Sequence, residues 1–531
     1  MIFKNAKSLI FTLGIILSFS KIFAQDRCPI IPLPQEAKRG AGEFKLDQSV
    51  LIVYKDKRLT PLASALQQQL LKFSSLPLTI HDKSTSKAHQ IILDYDKDSG
   101  NEGYKLKIQP DKIILSANSD HGIYNGINSL LQIVISHHVL DRKGKFTGRI
   151  RNLICWEIKD WPKYAWRGVM LDEARHFFGT EKVKTLIDWM SFYKLNRLHW
   201  HLTDAQGWRI EIKKYPKLAL IGGIGNARNP TASAKYYTQD EIREVIAYAA
   251  ARFITIVPEI DMPGHASAAT RAYPELHGGG SGFTFNPGKE HTYTFLSQVL
   301  REVDALFPSQ MIHLGGDEVS HGSKTWNELP DVKTLMKEKK LDDLKAVEHY
   351  FFKRMADSVM SFNNKVLGWD EATEAKLPVD KTILFWWRDG KILEKAVAQG
   401  YSLVLCPKRP FYFDFSQDST HKYGNYEGRS TNTSESVYNF SLDRLPVKVK
   451  SANILGIQAN VWTERITTEQ RLQFMIFPRM LALAETAWTN NEMKDYVSFK
   501  NRVKEHNKLF RLNNIYFYDL DETAKNGEPI N

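Results

Sequence analysis

Cysteine is nearly absent: Cys28, Cys155 and Cys406 are the only three among 531 residues. Small disulfide-held domains carry many more, so the chain is no disulfide scaffold, although three thiols leave room for one pair. No Cys or His spacing resembles a metal-binding motif, and neither a metal nor a cofactor is expected. Long apolar runs are also missing. The run from Leu9 to Phe19 falls short of the roughly 18–20 residues that cross a bilayer, and no later run reaches that length. Acids are in deficit, with 60 Asp and Glu against 72 Lys and Arg, a formal net charge of +12. The basic residues are spread rather than bunched. That describes a solvated surface, and no nucleic-acid-binding motif accompanies it. No internal repeat or low-complexity tract is present.

What remains is a globular composition, 43% hydrophobic and 25% charged. The chain is too long for one ordinary core, so two or more domains are expected. Residues 1–24 place Lys4 and Lys7 before the short apolar run and end on the small residue Ala24. This reads as a secretory signal peptide and implies export to the periplasm or beyond, with an uncleaved anchor as the alternative. Residues 25–160 hold strand-like runs such as YKLKIQ and DKIILSA, and two stretches with amphipathic helical spacing. They read as a small α+β domain without a catalytic cluster. From 161 to 495 the pattern becomes strand and helix in alternation. Eight apolar runs qualify as strands: GVMLDEA, RLHWHLTD, FITIVPEID, MIHLGGDE, KVLGWDEA, TILFWW, SLVLCP and ILGIQANVWTE. One helix before the third opens with a capping box, Thr238 and Glu241. The reading is α/β, a (β/α)₈ TIM barrel preceded by the α+β domain. A doubly wound sheet would gather polar residues at one switch point; here they recur at strand ends around the whole set. Residues 496–531 are assigned to a helical tail.

In such a barrel, catalytic groups come from the C-terminal ends of several strands. Read in order, those ends supply Asp172 and Arg175, then Asp204, then Glu259, Asp261 and His265, then Asp317 and Glu318. Trp369, Asp370, Glu371, Trp386, Trp387, Tyr412, Asp414, Trp462 and Glu464 follow. Taken singly, an Asp at a strand end is often a helix cap, and a lone Trp is often packing. Their convergence is what packing does not require. Indole faces suit the apolar face of a pyranose, while carboxylates and a guanidinium suit its hydroxyls.

The stretches RGVMLDEARHF, LHWHLTDAQGWRIEIKKYPKL, PEIDMPGH, HLGGDEV, GWDEA and NVWTE resemble the signatures of family 20 glycoside hydrolases, the β-N-acetylhexosaminidases. NEGYKLKI and HGIYNGINSLLQI resemble that family's α+β companion domain. The resemblance implies an exo-acting retaining hydrolase of terminal β-linked GlcNAc or GalNAc, on glycans or chitooligosaccharides. It implies substrate-assisted chemistry, in which the sugar's own 2-acetamido oxygen is the nucleophile. Glu318 would protonate the leaving oxygen and then serve as base. Asp317 would hold the acetamido N–H. Adjacent strand residues point to opposite faces, so the two acids would not sandwich one bond. A neighbouring carboxylate favours the protonated form that the acid needs. Asp204 and His265 match a relay that orients the acid. Arg175, Asp414 and Glu464 match hydroxyl-binding groups. Trp369, Trp387 and Trp462 match the indoles around the acetamido group, with Trp387 taken over Trp386 on spacing, and Tyr412 matches its hydrogen-bond donor.

Two departures stand out. Ala205 follows Asp204 where the family commonly has a second acid. The stretch after Asp414 lacks a tryptophan that many members carry, leaving Tyr423 or Tyr426 to substitute. The loop HGGGSGFTFNP reads as a flexible rim, too loose for a phosphate site. A disaccharide-releasing or chitooligosaccharide-restricted relative is one alternative, and a non-catalytic sugar-binding barrel another.

Overall fold

A computed structural model describes residues 28–82, 89–140, 146–150, 152–388, 390–425, 430–445, 447–449, 453–522 and 527–530. The signal-peptide reading of residues 1–24 lies outside them. Among the described residues, no helix is long and apolar enough to cross a membrane. The chain forms two compact units, divided between Trp161 and Pro162.

The first unit is a seven-stranded mixed sheet. Its strands in chain order are β1 (Glu36–Phe44), β2 (Leu51–Tyr54), β3 (Thr79–His81), β4 (Gln90–Tyr95), β5 (Tyr104–Ile108), β6 (Lys112–Ala117) and β7 (Leu153–Asp160). Their spatial order is β1-β7-β5-β6-β4-β2-β3. Strands β5 and β6 alternate as the sequence does: Tyr104, Leu106 and Ile108, with Ile113, Leu115 and Ala117, are buried. Helices α1 (Thr60–Ser74) and α2 (Asp120–Ser136) pack against each other and lie on the sheet.

The second unit is a closed barrel of eight parallel strands. These are β8 (Trp166–Asp172), β9 (Arg197–His201), β10 (Thr255–Glu259), β11 (Met311–His313), β12 (Lys365–Trp369), β13 (Thr382–Trp386), β14 (Ser402–Leu405) and β15 (Ile454–Val461). Each falls within one of the eight apolar runs or overlaps it closely. Strand β8 is buried along its whole length, as expected of a parallel strand covered on both sides. Trp166, Val257, Leu367, Trp369, Ile383, Phe385, Val404 and Cys406 form one core cluster. The helix before β10, α3 (Gln239–Ala250), has the expected capping box: Thr238 and Glu241 satisfy each other's backbone N–H groups.

One reading needs correction. Strand β11 stops at His313, four residues before Asp317, so strand alternation does not separate the two acids. The apolar stretch after β15 forms two helices, α4 (Glu469–Ile476) and α5 (Arg479–Trp488). Pro478 lacks the N–H that a continuous helix would use. The described residues from 496 onward group with the barrel unit. Helix α6 (Tyr496–Leu512) docks through a buried ion pair, Arg502 Nη1 to Glu485 Oε2 at 2.6 Å. No further helix occurs among the described residues beyond it.

Candidate active site

At the C-terminal mouth of the barrel is a pocket of about 320 Å³. It is lined by ten of the eleven residues named from the sequence: Arg175, His265, Asp317, Glu318, Trp369, Trp387, Tyr412, Asp414, Trp462 and Glu464. The eleventh, Asp204, lies one layer behind, fully buried.

Local backbone geometry explains the HLGGDE run. Gly315 (φ 67°), Gly316 (φ 93°) and Glu318 (φ 51°) all adopt left-handed backbone. A Cβ on Gly315 would fall 1.9 Å from Asp261 Oδ1, and one on Gly316 2.6 Å from the Phe352 ring. Both glycines are therefore required by conformation and by space. The coil that follows turns Asp317 inward, while Glu318 keeps 42% of its side chain exposed. The Asp317 carboxyl is held above its ordinary pKa. Burial is the main cause, and the charges of Glu259, Glu318 and Asp204 add to it against the opposing pull of His265.

Behind the acids is a saturated carboxylate. Asp204 Oδ2 accepts from Arg175 Nη2 at 2.8 Å and pairs with His201 Nε2 at 3.0 Å. Its Oδ1 accepts from the Ala205 N–H at 2.5 Å and meets His265 Nδ1 at 3.0 Å. Burial works to raise its pKa, but Arg175 and His265 outweigh it and hold the carboxyl well below the usual range. The position after it, where the family's second acid is missing, contributes its backbone N–H. His265 Nε2 then faces Asp317 Oδ2 at 3.6 Å and Glu318 Oε2 at 3.8 Å. Burial opposes the charge on His265, yet Asp204, Asp261 and Asp317 raise its pKa to about 10. The relay thus presents a cationic imidazole to both acids at neutral pH.

Three indoles and a phenol form the walls. The Trp369 and Trp462 centroids are 5.8 Å apart, and Trp387 stacks parallel to Tyr412 at 6.2 Å. The choice between Trp386 and Trp387 is resolved by the GWDEA acids. Asp370 Oδ2 accepts the backbone N–H of Trp387 at 3.0 Å, and Glu371 Oε2 accepts its indole N–H at 3.2 Å. Trp386 is instead a buried strand residue. At the outer end, Glu464 Oε1 is 3.7 Å from Arg175. Asp414 Oδ2 accepts from Asn425 Nδ2 at 3.1 Å. Burial, then the charge of Glu464, pushes the Asp414 carboxyl up to about 7.

The family profile for the glycosyl hydrolase family 20 catalytic domain matches residues 164–491. The profile for domain 2 of the same family matches residues 27–161. The chain belongs to glycoside hydrolase family 20. Among curated relatives, a β-hexosaminidase of Porphyromonas gingivalis is 33% identical over 490 residues, covering 89% of this chain but 62% of that protein. One from Vibrio furnissii is 34% identical, covering 88% of this chain and 77% of the relative. Among solved structures, a Vibrio harveyi exo-β-N-acetylglucosaminidase in complex with N-acetylglucosamine matches with TM-score 0.83 and 31% identity, over 92% of this chain and 78% of that one. A Bacteroides fragilis β-N-acetylhexosaminidase matches with TM-score 0.80 and 31% identity, over 94% and 99%.

In this family 20 chain the structure adds residues that sequence reading had not assigned. Asn425, Lys408, Phe415 and Arg465 also line the pocket. Asn425 occupies the loop where the family's tryptophan is missing; Tyr423 is not among the lining residues, and Tyr426 lies outside the described residues. The glycine-rich loop is a rim only at its tip. Its second half is buried at Thr284, Phe285 and Asn286 and is tied by Ala266 N–H to the Phe283 carbonyl at 2.8 Å and Phe285 N–H to the Pro263 carbonyl at 2.9 Å. Among the described residues, three buried triplets bring possible ligand atoms within 4.8 Å: His199–Glu259–His313, His201–Asp204–Asp261 and Asp261–His265–Asp317. Linear spacing could not reveal them, because their members come from different strands and loops. The first is already joined by contacts of 3.0 Å to Glu259.

Proposed function

We propose that the chain is an exo-acting, retaining β-N-acetylhexosaminidase that removes terminal β-linked GlcNAc or GalNAc by substrate assistance. The observation that carries this reading is the division of the adjacent acids. Asp317 is turned into the indole-walled end of the pocket, and Glu318 stands at its open side. With the ring on Trp462, the acetamido group enters between Trp369, Trp387 and Tyr412. Asp317 accepts the acetamido N–H, and the Tyr412 hydroxyl donates to its carbonyl oxygen. That oxygen attacks C1 while Glu318 gives its proton to the departing glycosidic oxygen. A cyclic oxazolinium forms, its positive charge facing Asp317. Glu318, now ionised, takes a proton from water, whose oxygen attacks C1 and reopens the ring. The anomeric configuration is retained after two inversions. Arg175, Asp414 and Glu464 bind the outer hydroxyls.

The test is release of nitrophenol from the β-N-acetylglucosaminide beside the β-glucoside, which has no acetamido group. Turnover of the first alone is expected; comparable turnover of both would overturn the mechanism. Residues 1–24 are proposed to direct export, to the periplasm or the exterior. N-terminal sequencing of the mature protein, expected to begin near Gln25, checks that.

A further inference from the structure

Glu259 ends strand β10 and is fully buried, yet it does not line the pocket. Four ring nitrogens converge on it. Trp369 Nε1 donates to Oε1 at 2.9 Å, and His313 Nδ1 is 3.0 Å from the same oxygen. His201 Nδ1 is 2.5 Å from Oε2, and His199 Nε2 is 3.0 Å from it. His199 accepts from Gln458 Nε2 at its other nitrogen, at 3.1 Å, so its Nε2 carries the hydrogen. His201 is different. Its two nitrogens meet two carboxylates, Glu259 and, at 3.0 Å, Asp204. Neither carboxylate donates when ionised, so both imidazole nitrogens must, and His201 is an imidazolium. Burial opposes that charge, but Glu259 and Asp204 outweigh it.

We propose that Glu259 is a positioning residue with two outputs: it fixes the Trp369 indole at the acetamido end of the pocket, and it supplies the counter-charge that keeps His201 protonated against Asp204. This rests on the substrate-assisted reading for its kinetic part only. The first output sets where the acetamido group lies. The second runs through Asp204 and His265 to Asp317 and Glu318. The groups that face this cluster are His199 and His201 on β9, His313 on β11, and Cys406 beyond β14. Asp172 acts on His201, and Asp261 and Asp317 also feel Glu259. Cys406 is held neutral by burial. Glu259 and Asp204 are the carboxylates in direct contact with His201.

Glu259→Gln separates the outputs, because a Gln side-chain oxygen still accepts from Trp369 while the charge is gone. In the full-length protein, histidine NMR should show His201 titrating at lower pH than in the parent. This readout needs no turnover. An inactive parent enzyme would therefore sink the mechanism proposed above, and the His201 titration would still decide between keeping and rejecting the role of Glu259. On the nitrophenyl N-acetylglucosaminide, kcat should fall at least tenfold with a displaced pH profile, while KM stays within about twofold. Trp369→Phe should do the opposite, raising KM and relaxing discrimination between N-acetyl and N-propionyl substrates. His201→Gln should reproduce the kcat and pH effects if Glu259→Gln fails to fold. An unmoved His201 titration in folded Glu259→Gln, or an unmoved pH profile in folded His201→Gln, overturns the proposal. Failure of both variants to fold would also overturn it, by assigning the cluster to the scaffold alone.

Discussion

The barrel has two mouths, and they differ in kind. The C-terminal pocket of about 320 Å³ converges four carboxylates, two guanidiniums, an ammonium, an imidazole and three indoles. The pocket at the N-terminal mouth is larger, about 430 Å³. Its lining includes Arg197, Lys365, Lys381, Asn363 and Asn364, and no carboxylate. Volume therefore fails to identify the site, whereas convergence of buried ionisable groups does. The connections explain the contrast. Chain entering five of the strands is taken up by tight turns, each with one left-handed residue: Lys194, Phe253, Gln310, Asn363 and Gly400. Chain leaving the strands is longer and free to carry function. Even there, left-handed backbone occurs at His265 and Glu318, where it aims a side chain rather than closing a turn.

The contrast can be broken most severely at Glu318. Glu318→Gln should lower kcat roughly 10²–10⁴-fold, the usual worth of an acid–base group, with product binding retained by calorimetry. Arg175→Ala comes next. It strips Asp204 of a buried ion pair and the sugar of a donor, at a cost of about 2–5 kcal/mol; kcat/KM and thermal unfolding should both fall. Asp414 offers a pH test. With its folded carboxyl near 7, it ionises as pH rises from 6 to 8. The ionised form accepts a sugar hydroxyl better, by about 1.5 kcal/mol or more. KM should therefore fall across that range, and Asp414→Asn should flatten the trend. The stability sign is opposite. The unfolded chain loses this proton first, so the group's contribution to stability declines between about pH 4 and pH 7. Asn425→Ala should raise KM only a few-fold, because it removes one neutral donor from Asp414, worth about 0.5–1.5 kcal/mol. Lys365→Ala at the opposite mouth should change neither turnover nor, beyond about 0.5 kcal/mol, stability. A kinetic effect there would undo the comparison.

Much of this was legible in the linear chain. Period-two and period-3.6 patterning located all eight barrel strands, because parallel strands buried on both sides need continuous apolar runs. The pocket residues sit at the C-terminal ends of those runs or just past them, where barrel geometry must bring them together. The α4–α5 break was visible in principle at Pro478. Less visible was the coil after β11, since an apolar run does not say where hydrogen bonding stops. Asn425 carried no signal, being one polar residue in a polar loop. Glu371 stood inside a named motif, but its bond to the Trp387 indole depends on a neighbouring strand.

By itself, the sequence determined the architecture, the family and most of the pocket's inventory, all of which follow from local periodicity and from motifs a few residues long. The tertiary structure alone decided which of two neighbouring tryptophans faces the pocket, that Asp204 stands behind the site rather than in it, and that Glu259 joins four ring nitrogens from β9, β11 and β12. The reason is physical. Hydrogen-bond partners and pKa values depend on distances between strands and on burial, and residues far apart in the chain set both.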